Sequence, residues 1–318
     1  MTRISIIIPV YNVENYIEAC LISVSRQDLK DIEIIAVNDG STDRSAAIIK
    51  KIAAFDSRIL LINKNNEGVT SARETGLKHA NGAYVFYLDG DDRLGSTDSL
   101  SIMLKRAEEQ NADFVSGDFR IVFSNGKSYV RKFPGYDLMN SEETLRYAFL
   151  NNDFYYTGRL IRKEHAVSLI GIIPKDITYG EDTYAVVNLL SIINKSTKVN
   201  EVILDYIQRE TSVTNRLEKR DQEKRNKATN LTLEYIEKQN INRFAAAEVT
   251  LYALREIYQS IIMGCPNYFV AKHFLPKYKS LKIEYKSHLS RKARLVLGIA
   301  AIDFPLACKL INCVKKIK

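Results

Sequence analysis

The sequence predicts an α/β protein with a doubly wound, mostly parallel sheet and a C-terminal helical extension. Apolar, β-branched runs recur as far as residue 119, and segments with an apolar spacing near 3.6 separate them. From about Arg216 onward only the helical spacing remains. A chain of 318 residues exceeds what one core usually serves, which favours a large domain with a smaller one appended.

Five apolar runs predict the strands, because continuous runs suit strands that are covered on both faces. They are ISIIIPV at 4–10, IEIIAVND at 32–39, ILLINK at 59–64, AYVFYLD at 83–89 and DFVSGDF at 113–119. The intervening segments open on polar residues, so we expect Asn12 and Ser41 to mark helix starts. In such a sheet ligands bind beyond the carboxyl ends of the strands. The residues expected there are Pro9–Tyr11, Asn38–Gly40, Lys64–Glu67 and Asp89–Asp92.

The later part of the chain is less regular. Asn125-Gly126 predicts a hairpin turn, and SEETLRYAFLNN and EDTYAVVNLLSIINK predict helices on either side of a Gly/Pro-containing segment. KVNEVILDYIQR then predicts a strand. We therefore divide the chain into an α/β domain, 1–215, and a helical, basic C-terminal region, 216–318.

Charge is concentrated at the C-terminus. The formal net charge is +8, and residues 271–318 hold twelve basic residues against two acids, so the first 270 residues carry −2. An apolar run, 295–314, lies among these charges and is interrupted by Asp303, Pro305 and Lys309. Since central charges oppose membrane insertion, we expect an interfacial segment that contacts the membrane peripherally. The alternative is a helix packed on the rest of the protein. Nucleic acid is not an expected partner, because no recognised module is present.

Cysteine usage and the N-terminus indicate the compartment. The four cysteines form no C-x-x-C pair, which favours a reduced, cytoplasmic setting. The first residues lack the basic region and cleavage site of a signal peptide. We expect a cytoplasmic protein at the inner face of the cell membrane.

The stretch YVFYLDGDDRL places three carboxylates, Asp89, Asp91 and Asp92, at the end of an apolar strand. Crowded carboxylates repel one another in a partly dehydrated cleft, so a cation is expected beside them. Oxygen ligands suit Mg²⁺ or Mn²⁺. Helix-capping aspartates are the alternative. Asp39, in VNDGSTDRS, precedes a turn and cap and is expected to be free to accept hydrogen bonds from a ligand.

Four spaced motifs carry a family resemblance. They are SIIIPVYNVENYIEACLISV, EIIAVNDGSTDRS, NEGVTSARETGLKHANGAYVFYLDGDD and GEDTYAVVNLL. Together they closely resemble the family 2 glycosyltransferases, which have the GT-A nucleotide-sugar-binding fold. The resemblance covers about the first two-thirds of the chain, and it implies that 1–215 is the catalytic domain.

The resemblance implies a nucleotide pocket and a phosphate-binding side chain. Pro9, Tyr11 and Asp39 match the pocket, where Asp39 accepts a hydrogen bond from the base, usually uracil. Arg73, in TSARETG, matches an arginine near the nucleotide or its phosphates.

It also implies a metal site and a base. Asp89 and Asp91 match the D-x-D motif. The resemblance implies that Asp89 lies near the ribose and the water shell of the metal, and that Asp91 is a direct ligand of Mn²⁺ or Mg²⁺. Asp92 is either an accessory acid or a cap for a helix near Thr97. In the Glu181-Asp182 pair, Asp182 matches the general base, whereas Glu181 is better explained as a first-turn charge.

The implied reaction is inverting transfer from a nucleoside-diphosphate sugar, with UDP favoured, to a hydroxyl of a saccharide acceptor. We expect a lipid-linked acceptor and a role in surface polysaccharide synthesis, as a hexosyltransferase-type enzyme (EC 2.4). The alternatives are a nucleotide-sugar-binding protein without transferase activity and a nucleotide-sugar pyrophosphorylase. The second should carry a Gly-rich basic loop after the first strand, and PVYNVENY has none.

Three places depart from the family pattern or extend it. Glu74 stands where relatives commonly have Asn. Gly158-Arg159 stands where they often have Asn-Lys, and we expect this segment to lie near the acceptor or donor sugar. Arg209 and Ser212 resemble a strand-end segment of the family that faces the diphosphate, and the alternative is that they are solvated residues without a ligand.

Overall fold

A computed structural model describes residues 2–209 and 219–316 of the chain. These residues form two compact units, which are described separately below. The first unit contains the described residues of 2–141, 155–178 and 189–209, and the second contains those of 142–154, 179–188 and 219–316. The boundary predicted between residues 215 and 216 lies outside the described residues and stays a prediction.

The first unit contains a nine-stranded sheet. Its strands are β1 (Ile4–Val10), β2 (Ile32–Asp39), β3 (Ile59–Lys64), β4 (Tyr84–Tyr87), β5 (Arg93–Leu94), β6 (Phe114–Phe123), β7 (Ser128–Arg131), β8 (Leu160–Arg162) and β9 (Ser196–Gln208). The early helices are α1 (Ile17–Ser25), α2 (Ser45–Ala53), α3 (Val69–His79), α4 (Ser99–Gln110), α5 (Ser141–Asn151), α6 (Lys163–Val167) and α7 (Glu181–Leu190). The later helices are α8 (Lys219–Lys238), α9 (Asn242–Ile262), α10 (Tyr268–Ser280), α11 (Ile283–Lys286), α12 (Arg291–Ala300) and α13 (Phe304–Lys316).

The sheet has the order β3-β2-β1-β4-β8-β6-β9-β5, and β7 pairs with β6. β1 pairs in parallel with β2 and β4, β2 with β3, and β6 with β9, while β8 and β5 pair antiparallel with their neighbours. Every residue of β1 is buried, as the continuous apolar run predicts for a central strand. The predicted α/β class with a mostly parallel sheet is confirmed.

Helix α3 packs unusually close to the sheet at Gly76. A Cβ atom added at Gly76 would lie 2.5 Å from Cγ2 of Ile7 on β1 and 3.4 Å from Cγ2 of Val37 on β2. Only glycine fits such an approach, although it is a poor helix former. The glycine therefore sets how near α3 and its Arg73 come to the strand ends.

The first two helices start later than we predicted. α1 begins at Ile17 and α2 at Ser45, not near Asn12 and Ser41. The two polar residues bind the opposite loops instead. The backbone N–H of Asn12 donates to Ser41 Oγ at 3.1 Å, and the N–H of Thr42 donates to Asn12 Oδ1 at 2.9 Å. The side chains that resembled helix caps thus connect the β1–α1 and β2–α2 loops.

The regular secondary structure of the second unit's described residues is helical, and most of α5 and α7 belongs to this unit with the later helices. Phe149 of α5, Phe154 and Tyr252 of α9 form an aromatic cluster with ring centroids 5.3–5.7 Å apart. Arg255 donates to the carbonyls of Phe149 and Leu150, which lie at the C-terminal end of α5. These bonds satisfy backbone acceptors that a helix end leaves open.

A charged pair stabilises the contact between α8 and α9. Nε and Nη2 of Arg225 each donate to a carboxylate oxygen of Glu256 at 2.7 Å, and Thr229 Oγ1 adds a bond at 3.3 Å. Glu256 is 8% exposed, so its charge depends on this forked partner.

Helices α12 and α13 each bury one side and expose the other. Ala293, Val296, Leu297 and Ala300 are buried. The outer residues include the exposed apolar Leu295, Ile302, Leu306 and Leu310 and the exposed basic Arg291, Lys292, Arg294 and Lys309. None of the described helices combines the length and apolar character needed to cross a membrane.

Candidate functional site

The carboxyl ends of the parallel strands meet at one edge of the sheet. Val10 of β1 pairs with Asn38 of β2, and Asp39 pairs with Lys64 of β3. β4 lies on the other side of β1, and the loop that begins at Leu88 follows it. The segments predicted for this edge therefore lie together.

Asp39 is buried at this edge and already has several partners. Its Oδ1 accepts from Lys64 Nζ at 2.9 Å and from the N–H of Glu67 at 3.0 Å, and its Oδ2 accepts from the N–H of Gly68 at 2.8 Å. Asp39 therefore already accepts three hydrogen bonds, and its predicted role as an acceptor for a ligand stays a prediction. A ligand donor would have to use a remaining lone pair, so Asp39 also orders the loop before α3.

Pro9 and Tyr11 lie on either side of the end of β1. Pro9 is buried within the strand, where it pairs with Val37. Tyr11 follows the strand and is 51% exposed, so its ring can contact a bound molecule. Of the two, only Tyr11 presents substantial surface at the sheet edge.

Asp89 forms an ion pair with Arg73. Nη2 of Arg73 donates to Asp89 Oδ1 at 3.1 Å, and the guanidinium lies 5.4 Å from the ring centroid of Tyr156. That ring stacks on Tyr87 of β4 with centroids 4.6 Å apart. The Arg73 side chain is 8% exposed, so its position is well defined by these contacts. The family resemblance implied that Arg73 lies near the nucleotide or its phosphates, but nothing in the sequence predicted its pair with Asp89 or its contact with Tyr156.

Asp91 forms an ion pair with Arg209, the residue that follows β9. Nη2 of Arg209 lies 2.5 Å from Asp91 Oδ2, and its guanidinium lies 5.3 Å from the ring centroid of Tyr16. Burial and the negative charge of Asp89 raise the pKa of Asp91, while Arg209 opposes the rise. Each acid of the D-x-D pair therefore has an arginine as partner.

Asp92 points into the protein, where it is 1% exposed. Its Oδ1 accepts from the N–H of Ile207 on β9 at 2.8 Å, and its Oδ2 is buried without a hydrogen-bond partner. Burial and the charges of Asp91 and Asp89 raise its pKa well above the usual range. The suggestion that Asp92 caps a helix near Thr97 is wrong, because α4 begins at Ser99 with Asp98 at the cap position. Asp92 attaches the acidic loop to β9.

The three acids fit a divalent cation by their chemistry. They offer only oxygen donors, the ligand type that Mg²⁺ and Mn²⁺ prefer. The raised pKa values of Asp91 and Asp92 indicate more negative charge than this partly buried loop readily accommodates. Asp89 and Asp91, which are 31% and 17% exposed, are the two that can reach a bound ion.

A second acidic group lies elsewhere in the first unit. Asp113, Glu164 and His165 have ligand atoms within 4.8 Å of one another. Asp113, however, already accepts from Arg162 Nε and from the N–H groups of residues 194 and 195. Its role is to join the start of β6 to neighbouring segments.

The two departures from the family pattern have structural explanations. Glu74 Oε1 accepts from the N–H of Gly171 at 2.7 Å, so its side chain holds a loop. Arg159 is 1% exposed, donates to the carbonyl of Gly117 and lies 4.7 Å from the ring centroid of Phe119. The Arg159 side chain is enclosed among aromatic rings and presents almost no surface to a ligand. That the segment lies near the acceptor or donor sugar stays a prediction.

Glu181 and Asp182 occupy the first turn of α7, in the second unit, and both are half-buried. Acids are favoured at a helix N-terminus, as expected for Glu181. The role of Asp182 as base stays a prediction. Ser212 lies outside the described residues.

Comparison with known proteins identifies the family. The sequence profile described as "Glycosyl transferase family 2" matches residues 5–169, more than half of the chain. The chain belongs to this family, and the prediction of a glycosyltransferase is confirmed. It is 38% identical over 185 residues to "Uncharacterized glycosyltransferase EpsJ" of Bacillus subtilis (strain 168), a match that covers 57% of this chain and 54% of EpsJ. The chain thus spans about half the length of this relative.

Solved structures share the fold. S. aureus TarS 1-349 in complex with UDP-GlcNAc gives a TM-score of 0.68 at 17% identity, covering 100% of this chain and 93% of that one. The mannosyltransferase PcManGT from Pyrobaculum calidifontis, in complex with GDP-Man and Mn²⁺, gives 0.58 at 17% identity, covering 99% and 87%. At this identity the likeness establishes the GT-A fold and no more.

Proposed function

We propose that this protein is an inverting glycosyltransferase that moves a sugar from a nucleoside-diphosphate sugar, favouring UDP, to a hydroxyl of a saccharide acceptor. The observation that carries the proposal is the pair of arginine-bound acids, Asp89 and Asp91, at the same carboxyl edge of the sheet as Asp39. The UDP-GlcNAc complex of the TarS neighbour supports a nucleotide-sugar donor.

The nucleotide would bind along the ends of β1 and β2. Tyr11 offers an exposed ring to the base, and Asp39 offers a lone pair to a base N–H while it keeps the loop before α3 in place. Pro9, which is buried within β1, would form part of the bottom of the nucleotide pocket. Arg73 supplies a guanidinium for the phosphates, and its stacking on Tyr156 orients it.

Asp91 is the proposed direct ligand of Mn²⁺ or Mg²⁺, with Asp89 near its water shell and the ribose. The Mn²⁺ complex of PcManGT supports a divalent cation for this fold. When bound, such an ion neutralises charge that develops on the departing diphosphate. Asp92 supports the loop through its bond to Ile207.

Asp182 is the proposed general base, which takes the proton from the acceptor hydroxyl as that oxygen attacks the anomeric carbon. Positioned bases typically contribute about 10²- to 10⁴-fold to a rate. A single displacement inverts the anomeric configuration, so an α-linked donor gives a β-linked product. The assignment rests on the match of Glu181-Asp182 to the family pair.

The acceptor is proposed to be lipid-linked and to belong to surface polysaccharide synthesis at the cytoplasmic face of the membrane. The exposed side of α12 and α13 supports peripheral membrane contact, because it carries both basic and apolar side chains. Basic residues near an anionic surface contribute about 1 kcal/mol each.

Donor turnover tests the enzymatic part. UDP release is measured with a panel of UDP-sugars, with and without MnCl₂, for the parent and for Asp91→Asn. We expect release that depends on Mn²⁺ and is lost in the variant, whose fold should persist because no core is removed. UDP-sugar binding without release would indicate a binding protein. Release of UTP from UDP-sugar and pyrophosphate would indicate a pyrophosphorylase.

Liposome flotation tests the membrane part. Replacing Arg291, Lys292 and Arg294 by Gln removes exposed charge without opening the core. We expect this variant to lose flotation on phosphatidylglycerol vesicles at low salt, while a control with exposed Lys50 and Lys51 changed to Gln floats like the parent. Equal flotation of all three proteins, or none by any, would contradict membrane contact.

A further inference from the structure

Arg209 forms an ion pair with Asp91, the carboxylate that is proposed to bind the metal. Its Nη2 lies 2.5 Å from Asp91 Oδ2, and the Asp91 side chain is only 17% exposed. A divalent ion bound directly to Asp91 would lie within a few ångströms of the guanidinium. Two cations that close in a partly dehydrated site repel each other strongly.

The two arginines of the site differ in how firmly they are placed. Arg73 is within α3, is 8% exposed and packs against Tyr156. Arg209 also lies over a tyrosine ring, that of Tyr16 at 5.3 Å, but it follows the last ladder residue of β9 and its side chain is 23% exposed. Arg209 is therefore the one that can leave its acid with less disruption.

We propose that Arg209 is an internal counterion of Asp91 that competes with the metal and moves to the donor diphosphate when the metal binds. The inference rests on the proposed role of Asp91 as metal ligand. In the metal-free protein Arg209 neutralises Asp91. Once the ion holds Asp91, the same guanidinium is released beside two phosphates, which it can bind through paired N–H groups. The metal and the nucleotide then favour each other's binding.

The proposal predicts opposite effects of Arg209→Gln on two ligands. For MnCl₂ alone the variant should bind roughly three- to tenfold more tightly than the parent, because no internal cation has to be displaced. For UDP at saturating Mn²⁺ it should bind roughly tenfold more weakly, because a charged phosphate contact is lost. A residue that only supported the loop would weaken both.

The experiment measures Mn²⁺ binding by the loss of the free-ion electron paramagnetic resonance signal, and UDP binding by calorimetry. Arg93→Gln is the matched control, since Arg93 is 40% exposed and faces Asp205 at 3.8 Å. We expect the control to change neither affinity more than about twofold. Circular dichroism verifies that both variants fold.

The outcomes separate this inference from the proposed function. Unchanged or weaker Mn²⁺ binding by Arg209→Gln, in a protein whose parent binds Mn²⁺ and UDP, would overturn the inference alone. If Asp91→Asn binds Mn²⁺ like the parent, the proposed metal ligand is wrong and the inference fails with it. Tighter Mn²⁺ binding together with weaker UDP binding supports both.

Discussion

Gly76 offers a direct test of how the sheet positions the site. Gly76→Ala would place a Cβ 2.5 Å from Ile7 Cγ2, whereas carbon atoms pack at about 3.5–4.0 Å. The helix or the strand must therefore move by roughly 1 Å. Ile7 is fully buried and pairs with both β2 and β4, so α3 is the part that we expect to shift.

Two opposing effects set the size of the change. Overpacking costs about 1–3 kcal/mol, and replacing glycine by alanine within a helix gains about 1 kcal/mol. We expect a net loss of up to about 2 kcal/mol in the free energy of unfolding. Because α3 carries Arg73 and the loop that binds Asp39, UDP affinity should also fall.

Gly298→Ala is the matched control. Gly298 lies in α12, and an added Cβ would have no heavy atom within 4 Å. The free energy of unfolding of this variant should rise by up to about 1 kcal/mol, and its UDP affinity should equal the parent's. Urea unfolding and calorimetry give both quantities. If Gly76→Ala proves at least as stable as the parent, the close packing of α3 on β1 does not limit the position of the helix.

Three further predictions concern other groups. Asp182→Asn should keep its UDP-sugar affinity, measured by calorimetry, within about twofold of the parent's. Its turnover number, measured by steady-state kinetics, should fall about 10²- to 10⁴-fold. Unchanged turnover would mean that another residue is the general base. Hydrogen bonds from Arg58 lower the pKa of Asp56 to about 2, so Asp56 stabilises the fold above about pH 4 and loses this effect as the pH falls to about 2. Asp56→Asn should then cost about 1–2 kcal/mol at pH 7 and much less near pH 3 by urea unfolding, and a pH-independent cost would refute the assignment. Glu256→Gln removes the charge that faces Arg225 and should cost about 2–3 kcal/mol by urea unfolding, whereas a change below about 0.5 kcal/mol would mean that solvent replaces the pair.

The sequence was sufficient for the elements whose signal is local. β1, β2 and β3 match the predicted runs from first to last residue. A continuous apolar run correctly predicts the burial of β1 and β2, whereas β3 is an edge strand in which only Ile59 is buried. The turn at Asn125-Gly126 was also predictable, since Gly126 adopts a φ of +80°.

Features that depend on distant partners were not predictable. Asn12 resembled a helix cap because its true partner, Thr42, lies thirty positions away. Asp39 appeared available because two of its three donors are backbone groups, which leave no signature in residue type, and the third is Lys64, 25 positions away. Arg159 resembled a site residue because a buried arginine among aromatic rings looks like an exposed one in sequence.

The bond between Ile207 and Asp92 limits how this enzyme could be recombined with its relatives. It joins residues 115 positions apart, and its donor lies beyond residue 169, where the family match ends. A chimera that exchanged the chain at that point would place a foreign strand against β5 and β6 and against the acidic loop. A crossover after Arg209 would keep the loop and its supporting strand from the same parent. The stretch that must come from one parent to hold the acidic loop is therefore longer than the family match at residues 5–169.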